Sequence, residues 1–498
     1  MPSPKSKTSA KKAVKPAASR DRTPEEIATD SETLLPFDGF LKKFDSSEDP
    51  LSGEHKFESG DVTGDPVRRG RFRRRSSPSM RTQTSTTPDD CQLVHLVEQN
   101  GILSWQIAGE QMITSQPGFR ARPRRALVRT PDTVVRSYEF EKISGSQATS
   151  ALVELDKKLT PDADYGLAHD RTGLSFWDTA TQGFVPCGSG CKLTGQRVLL
   201  IIHGTFSNSK AFLNHDFKAL LNDAADKTKG GYDYVLAFDH PTLSVSPMLN
   251  AFDLAARLRD LGDPKEIDII CHSRGGLVTR WYCEVMAPAS IKRRAILVAC
   301  PLGGTSLAAP HRIREVFNLL TNVARVSSVA AGVFGGPFFL AAKGIMGLTS
   351  SITGALTGPL TDAVVSLIPG LDGQSRTGNN QELLRLHANT GGAVFNDPSG
   401  DIRYWSILSN FEPDTSGAWG FLRGFSRPLQ TLANRGADFV FEGPNDLVVD
   451  TASMTEASRG RKLIEVLYDF GTNDKVHHTN YFDHEMTHVK IREVFEIP

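Results

Sequence analysis

The sequence predicts an α/β fold with a mostly parallel central sheet. Two observations point there. Continuous apolar runs recur after about Lys192: "QRVLLIIHG" (Gln196–Gly204), "YDYVLAFDH", "EIDIICHS" and "RRAILVAC". A strand that is apolar on both alternating faces suits a sheet covered on both sides. Between these runs lie "AFLNHDFKALLNDAA", "LNAFDLAARLRDLG" and "GGLVTRWYCEVMA", whose apolar residues recur at helical spacing. Strands alternating with helices imply right-handed βαβ crossovers, and "IRYWSIL" and "KLIEVLYDF" supply further strands later in the chain.

The 498 residues divide into three stretches. Residues 1–90 are rich in Ser, Pro, Lys and Arg and keep no apolar period, so a disordered tail is predicted. Its one apolar patch is "LLPFDGFLKKF", a candidate docking segment. Its basic run "VRRGRFRRRSS" offers contact with a membrane surface or a polyanion, or is simply a solvated tail. No folded nucleic-acid-binding module is recognisable. Residues 91–190 predict a small β-rich or mixed region of unknown role, opening with two strands around an Asn-Gly turn in "QLVHLVEQNGILSWQIAG". Residues 191–498 hold the α/β pattern, interrupted by an insertion over about 303–385.

Charge and cysteine usage narrow the class. Lys+Arg and Asp+Glu both number 57, so the overall balance implies no polyanion partner. The N-terminus is positive but has no apolar segment of the secretory kind. Six cysteines are sparse, and Cys271, Cys283 and Cys300 sit in apolar or helical segments, as buried free thiols in a reducing compartment would. A cytoplasmic location is the expectation. Cys187 and Cys191, in "CGSGC", form either a metal or redox pair or a turn with two incidental thiols.

"IDIICHSRGGLVTRW" carries the sharpest chemical signal. A buried strand ends, Ser273 sits at the turn, and two glycines lead into a helix. A nucleophile elbow needs that arrangement, because the serine sits on a strained turn that tolerates only small neighbours. Cys271 stands where the G-x-S-x-G pattern has its first glycine. "IIHGTFSN" is the second element. An oxyanion requires two preorganised N–H donors: one from Arg274, the residue after the nucleophile, and one from a loop after an earlier strand. Thr205 is the expected second donor, with Phe206 as the alternative.

"HGTFSN", "FDHPTLSVSP", "CHSRGG", "VACPLGGTSLA", "PNDLVV" and "HHTNYF" occur in this order. Together they resemble the α/β-hydrolase superfamily in its bacterial lipase- and esterase-like branch, from about Lys192 to the C-terminus. The resemblance implies a serine hydrolase cleaving carboxylic esters of lipophilic substrates, with no cofactor. It implies the chain order serine, acid, histidine. Asp446 matches the acid, with Asp414 and Asp450 as alternatives; His478 matches the base, with His477 as second choice. It also makes the apolar, glycine-rich insertion a helical lid or a packed cap. Two rival readings remain: a non-catalytic interaction module with a basic tail, and a zinc hydrolase using "HEMTH" (His484 to His488). The latter lacks a third ligand unless Glu493 or Glu496 serves.

Overall fold

The computed structural model describes residues 91–99, 102–107, 133–141, 145–163, 173–188, 190–305, 308, 317–318, 321–322, 337–353, 368–376, 380–389, 402–412, 443–458, 461–462 and 464–498. The tail expected over 1–90, with both its apolar and basic segments, lies outside them.

Strands β1 (Cys91–Gln99), β2 (Ile102–Ile107) and β3 (Thr133–Glu141) form a small antiparallel sheet in the order β2-β1-β3. Helix α1 (Gly145–Leu159) follows, then the hairpin β4 (Leu174–Asp178) and β5 (Gly183–Pro186). The α/β succession is β6 (Arg197–Ile202), α2 (His215–Ala225), β7 (Tyr234–Phe238), α3 (Pro247–Asp260), β8 (Glu266–His272), α4 (Gly275–Trp281) and β9 (Lys292–Val298). After it come α5 (Pro337–Thr353), α6 (Gln381–Asn389), β10 (Ile402–Phe411), the short pair β11 (Glu456–Ser458) and β12 (Arg461–Lys462), β13 (Glu465–Asn473) and α7 (Glu485–Phe495).

Eight strands make the main sheet, in the order β13-β10-β9-β8-β6-β7-β4-β5. Neighbours from β13 to β7 pair in parallel, and β4 joins β7 antiparallel. This is the α/β-hydrolase arrangement. Strand β6 shows why the sheet sits between two layers. Val198, Leu200 and Ile202 pack into one core with α3 and α4, while Leu199 and Ile201 pack into the other with α2 and α7. Alternating side chains thus leave neither face to water. Asp268 of β8 is buried on the second face. Arg294 grips it through two bonds at 2.7 and 2.6 Å, and the Tyr232 hydroxyl donates to it at 2.5 Å, so its charge is paired rather than stranded. Asn214 and Ser246 start α2 and α3 by accepting the Phe217 and Leu249 N–H groups.

The topology positions the site. From β6 the chain goes to β7 on one side, and β8 then returns to the other side of β6. At such a reversal the loops leaving the adjacent carboxyl ends diverge and open a crevice. The loops after β6 and β8 carry "HGTF" and Ser273.

Two expectations about domain limits need correcting. The sheet does not begin at residue 191: β4 and β5, at 174–186, are two of its strands, because the exposed edge of β7 takes up β4 in antiparallel register. The region around residue 100 and the 303–385 insertion are also not separate. Leu96, Trp105, Phe140 and Leu155 share one apolar core with Phe339, Ile345 and Met346 of α5. Asn322 of the insertion accepts the Leu103 N–H at 2.9 Å and donates to the Leu103 carbonyl at 2.8 Å, pairing with β2 as a strand would. The Trp105 indole N–H donates to Thr321 at 2.8 Å. One packed unit is therefore assembled from two distant stretches of sequence. Elsewhere, Cys187 and Cys191 are buried free thiols 3.2 Å apart.

Within this unit, α5 crosses β3 through Gly347. A Cβ there would lie 2.1 Å from the Phe140 ring. Gly347→Val should therefore destabilise the protein by about 1–3 kcal/mol through overpacking. Urea unfolding measures this; an unchanged midpoint would mean that α5 does not pack there.

Candidate active site

Ser273 follows β8 directly and adopts φ +53, in the left-handed region that side chains avoid. The turn is locked by the Ser273 N–H donating to the Val298 carbonyl at 2.9 Å, and helix α4 starts two residues later. Small neighbours are needed in two places. A Cβ on Gly204 would sit 2.7 Å from the Ser273 Cβ, and one on Gly275 would sit 2.6 Å from the Ile202 carbonyl oxygen. Strand, elbow and helix meet there with no room for a methyl group. Cys271 is tolerated because its side chain points into the core beneath the elbow, with its sulfur 3.6 Å from the Ile296 carbonyl oxygen.

Ser273 Oγ lies 2.9 Å from His478 Nε2, and His478 Nδ1 lies 2.9 Å from Asp446 Oδ2. A carboxylate only accepts, so Nδ1 carries the proton and Nε2 offers its lone pair to the serine hydroxyl. The structure thus brings together the three residues matched by resemblance. Asp446 is fully buried. Its Oδ1 accepts the Val448 and Val449 N–H groups at 3.1 and 2.8 Å, and its Oδ2 accepts the Tyr481 hydroxyl at 3.2 Å. The loop bearing Asp446 docks on the end of β10, where the Phe411 N–H donates to the Asn445 carbonyl at 2.8 Å. The His478 N–H donates to the Asp446 carbonyl at 2.9 Å, tying the two residues through the backbone as well.

The alternatives sit elsewhere. His477 faces Phe411 edge-on, and its Nδ1 shares a hydrogen bond with the Thr479 hydroxyl at 3.1 Å. Asp450 lies 3.9 Å from Arg376, and Asp414 falls outside the described residues. In "HEMTH", His484 precedes the first turn of α7 with its ring against Phe470, while His488 bonds the Phe482 carbonyl at 2.8 Å and packs near Phe217. Among the described residues, no three His, Cys, Asp or Glu side chains cluster as metal ligands do.

Of the expected oxyanion donors, Arg274 follows the elbow serine at the start of α4, and its N–H and that of Thr205 have no acceptor among the described residues. The Phe206 N–H, the alternative, is directed at the Thr242 hydroxyl at 3.4 Å. Phe206 itself adopts φ +56. The Thr205 hydroxyl pairs with the Gln374 amide at 3.0 Å. His203 braces this loop: it is buried, donates from Nδ1 to the Gly204 carbonyl at 2.9 Å and accepts the His240 N–H at 3.1 Å. Burial holds its pKa below the usual histidine value.

The sequence from residue 172 to residue 496 matches the family described as a domain of unknown function, DUF7379. The chain belongs to this family. No curated protein matches it. Among solved structures, a mature-form lipase of Bacillus licheniformis is 15% identical and aligns over 65% of this chain and 98% of its own, with a TM-score of 0.34. Lipase 1 of Pelosinus fermentans is 13% identical over 61% of this chain and 99% of its own, at 0.38. The Cif epoxide hydrolase of Acinetobacter nosocomialis is 13% identical over 71% and 98%, at 0.31.

Sequence reasoning missed several supports of this site. His272 donates from Nε2 to the His478 carbonyl at 2.9 Å and so steadies the loop bearing His478. Desolvation, with the His478 ring next in weight, pushes the His272 pKa down to about 3. Its position beside the elbow serine was the only signal. Tyr481 lies inside a quoted motif, yet nothing in the sequence ties it to Asp446.

His477 is held down to about 4, chiefly by burial. In the unfolded chain a histidine protonates near pH 6.5. Between these limits the unfolded state binds more protons, so stability is complete above about pH 6.5 and falls as pH drops toward 4. The melting temperature should fall over that window, and less steeply in His477→Gln. An identical profile in the variant would show that His477 does not contribute.

Proposed function

We propose that this protein is a serine hydrolase that cleaves carboxylic esters with a lipophilic acyl group. The observation that carries the reading is the relay from Ser273 Oγ through His478 to Asp446, both links at 2.9 Å, mounted on a strained strand-to-helix turn. A free serine hydroxyl is a weak nucleophile and needs an adjacent oriented base.

In this reading His478 Nε2 removes the Ser273 proton as Oγ bonds to the acyl carbon. The tetrahedral oxygen then gains negative charge, which the Thr205 and Arg274 N–H groups stabilise; one such donor is worth about 10²–10³ in rate. His478 returns the proton to the leaving alcohol. Water attacks the acyl-enzyme by the same route, activated by His478, and Ser273 leaves. Asp446 holds the imidazole in one tautomer and stabilises its charged form.

The preference for apolar acyl chains is supported by what surrounds the relay. Phe206, Leu243 and Leu447 flank the loops of the site and belong to the same apolar core as Phe317, Phe339 and Leu371 of the insertion. These side chains are buried, so an acyl chain that parts them would pass from water into hydrocarbon. No helix among the described residues is long and apolar enough to cross a membrane.

The test is a chain-length series of p-nitrophenyl esters. kcat/KM should rise about two- to fourfold per methylene until the acyl site is filled, since each buried methylene is worth up to about 0.8 kcal/mol. Ser273→Ala should lower kcat by about 10⁴-fold or more. Turnover of no ester, or full activity in Ser273→Ala, would overturn the proposal.

A further inference from the structure

Asp156 lies on α1, upstream of the stretch that matches the family. It is fully buried, and it faces the loop that follows β7. Oδ1 accepts the Thr242 N–H at 2.8 Å and the Thr242 hydroxyl at 3.1 Å. Oδ2 accepts the Leu243 N–H at 2.9 Å, the Ser244 N–H at 2.7 Å and the Ser244 hydroxyl at 2.7 Å. Three consecutive backbone donors and two hydroxyls converge on one carboxylate. A buried charge is retained only where such a set of donors meets it, and the geometry it imposes is correspondingly fixed.

The gripped loop touches both sides of the proposed oxyanion pocket. On one side, the Thr242 hydroxyl that donates to Asp156 also accepts the Phe206 N–H at 3.4 Å. The Phe206 nitrogen and the Thr205 carbonyl belong to one peptide unit, so this bond orients the strained turn at φ +56 that presents the Thr205 N–H. On the other side, the Val245 carbonyl accepts the Arg274 guanidinium at 2.6 Å. The Leu243 carbonyl accepts the Gly370 N–H at 2.9 Å, and the Gly370 carbonyl in turn accepts the Gln374 amide at 3.1 Å, which holds the Thr205 hydroxyl at 3.0 Å. These ties to Thr205 and Arg274 leave the gripped loop at Thr242, Leu243 and Val245, and the Arg274 Nε also donates to the Gly370 carbonyl at 3.4 Å.

We propose that Asp156 is a positioning residue: through Thr242 it fixes the peptide that directly follows Thr205, and so the setting of the Thr205 oxyanion donor, which makes the unit of β1–β3, α1 and α5 a working part of the catalytic site. This rests on the ester-hydrolase reading. A loop that aims a donor at a charge present only in the transition state affects kcat and leaves ground-state binding alone.

The test exploits two hydroxyls that bond the same carboxylate. Thr242→Val removes the one that also holds Phe206. Ser244→Ala removes the one that contacts neither Phe206 nor Arg274. In Thr242→Val, kcat should fall about tenfold or more with KM within threefold, and affinity for a trifluoromethyl ketone, which forms a tetrahedral adduct on Ser273, should weaken by the same factor as kcat/KM. Thr242→Ser should restore both, Asp156→Asn should resemble Thr242→Val, and Ser244→Ala should stay within twofold of wild type. Equal losses in Thr242→Val and Ser244→Ala, or a rise in KM with kcat intact, would overturn the positioning role alone, provided that wild-type turnover requires Ser273. If the wild type turns over no ester, the underlying reading and this inference fall together.

Discussion

Ser273 can hold its left-handed turn only because the chain around it leaves no atom in the way. Gly204 and Gly275 bring the loop after β6 and the first turn of α4 to within a missing methyl group of the elbow and of strand β6. Strain of this kind persists only where the surroundings over-determine it. Here the surroundings are the switch point of the sheet: β6 and β8 lie side by side, both fully covered, and their loops emerge together. The parallel sheet, the two apolar layers and the crossover at β6 converge on holding one serine hydroxyl upright.

Around that turn, polar groups are arranged so that each has one available role. A carboxylate that accepts two backbone N–H groups and a tyrosine hydroxyl cannot rotate away from His478. A histidine whose carbonyl is held by His272, and whose N–H is held by the Asp446 carbonyl, keeps its ring in register with the serine. The same logic extends outward through His203, Thr242 and Asp156. These buried groups are matched to partners, which is the condition for their burial to be tolerated. The His240 Nε2 is an exception, and so is the Arg274 guanidinium. Burial lowers its pKa to about 10 despite the nearby Asp156 and Glu382, and its Nη1 has no partner among the described residues.

The sheet was legible in the sequence because strands buried on both faces must be continuously apolar, and little else of six residues reads that way. The tight turn at Ser273 was legible because its glycines are enforced by steric contact. The choice between His477 and His478 was not legible. Both residues carry the same side chain, and which one faces Ser273 is decided by loop geometry that includes the Asn480 side chain accepting the His477 N–H. The edge hairpin β4–β5 escaped for another reason. Its strands are short and only partly buried, and nothing in "LSFWD" distinguishes an edge strand of a large sheet from one in a small separate sheet. Asp156 and the union of the strand region with the insertion were also invisible. Both are contacts between segments more than 80 residues apart, where no periodicity links the partners.

The most direct measurement of the central claim, that Ser273 is the activated nucleophile, is peptide mass mapping after exposure to a fluorophosphonate ester. The account predicts a single stoichiometric adduct on the peptide containing Ser273, formed much more slowly in His478→Ala. An adduct on any other residue, or undiminished labelling in Ser273→Ala, would contradict it.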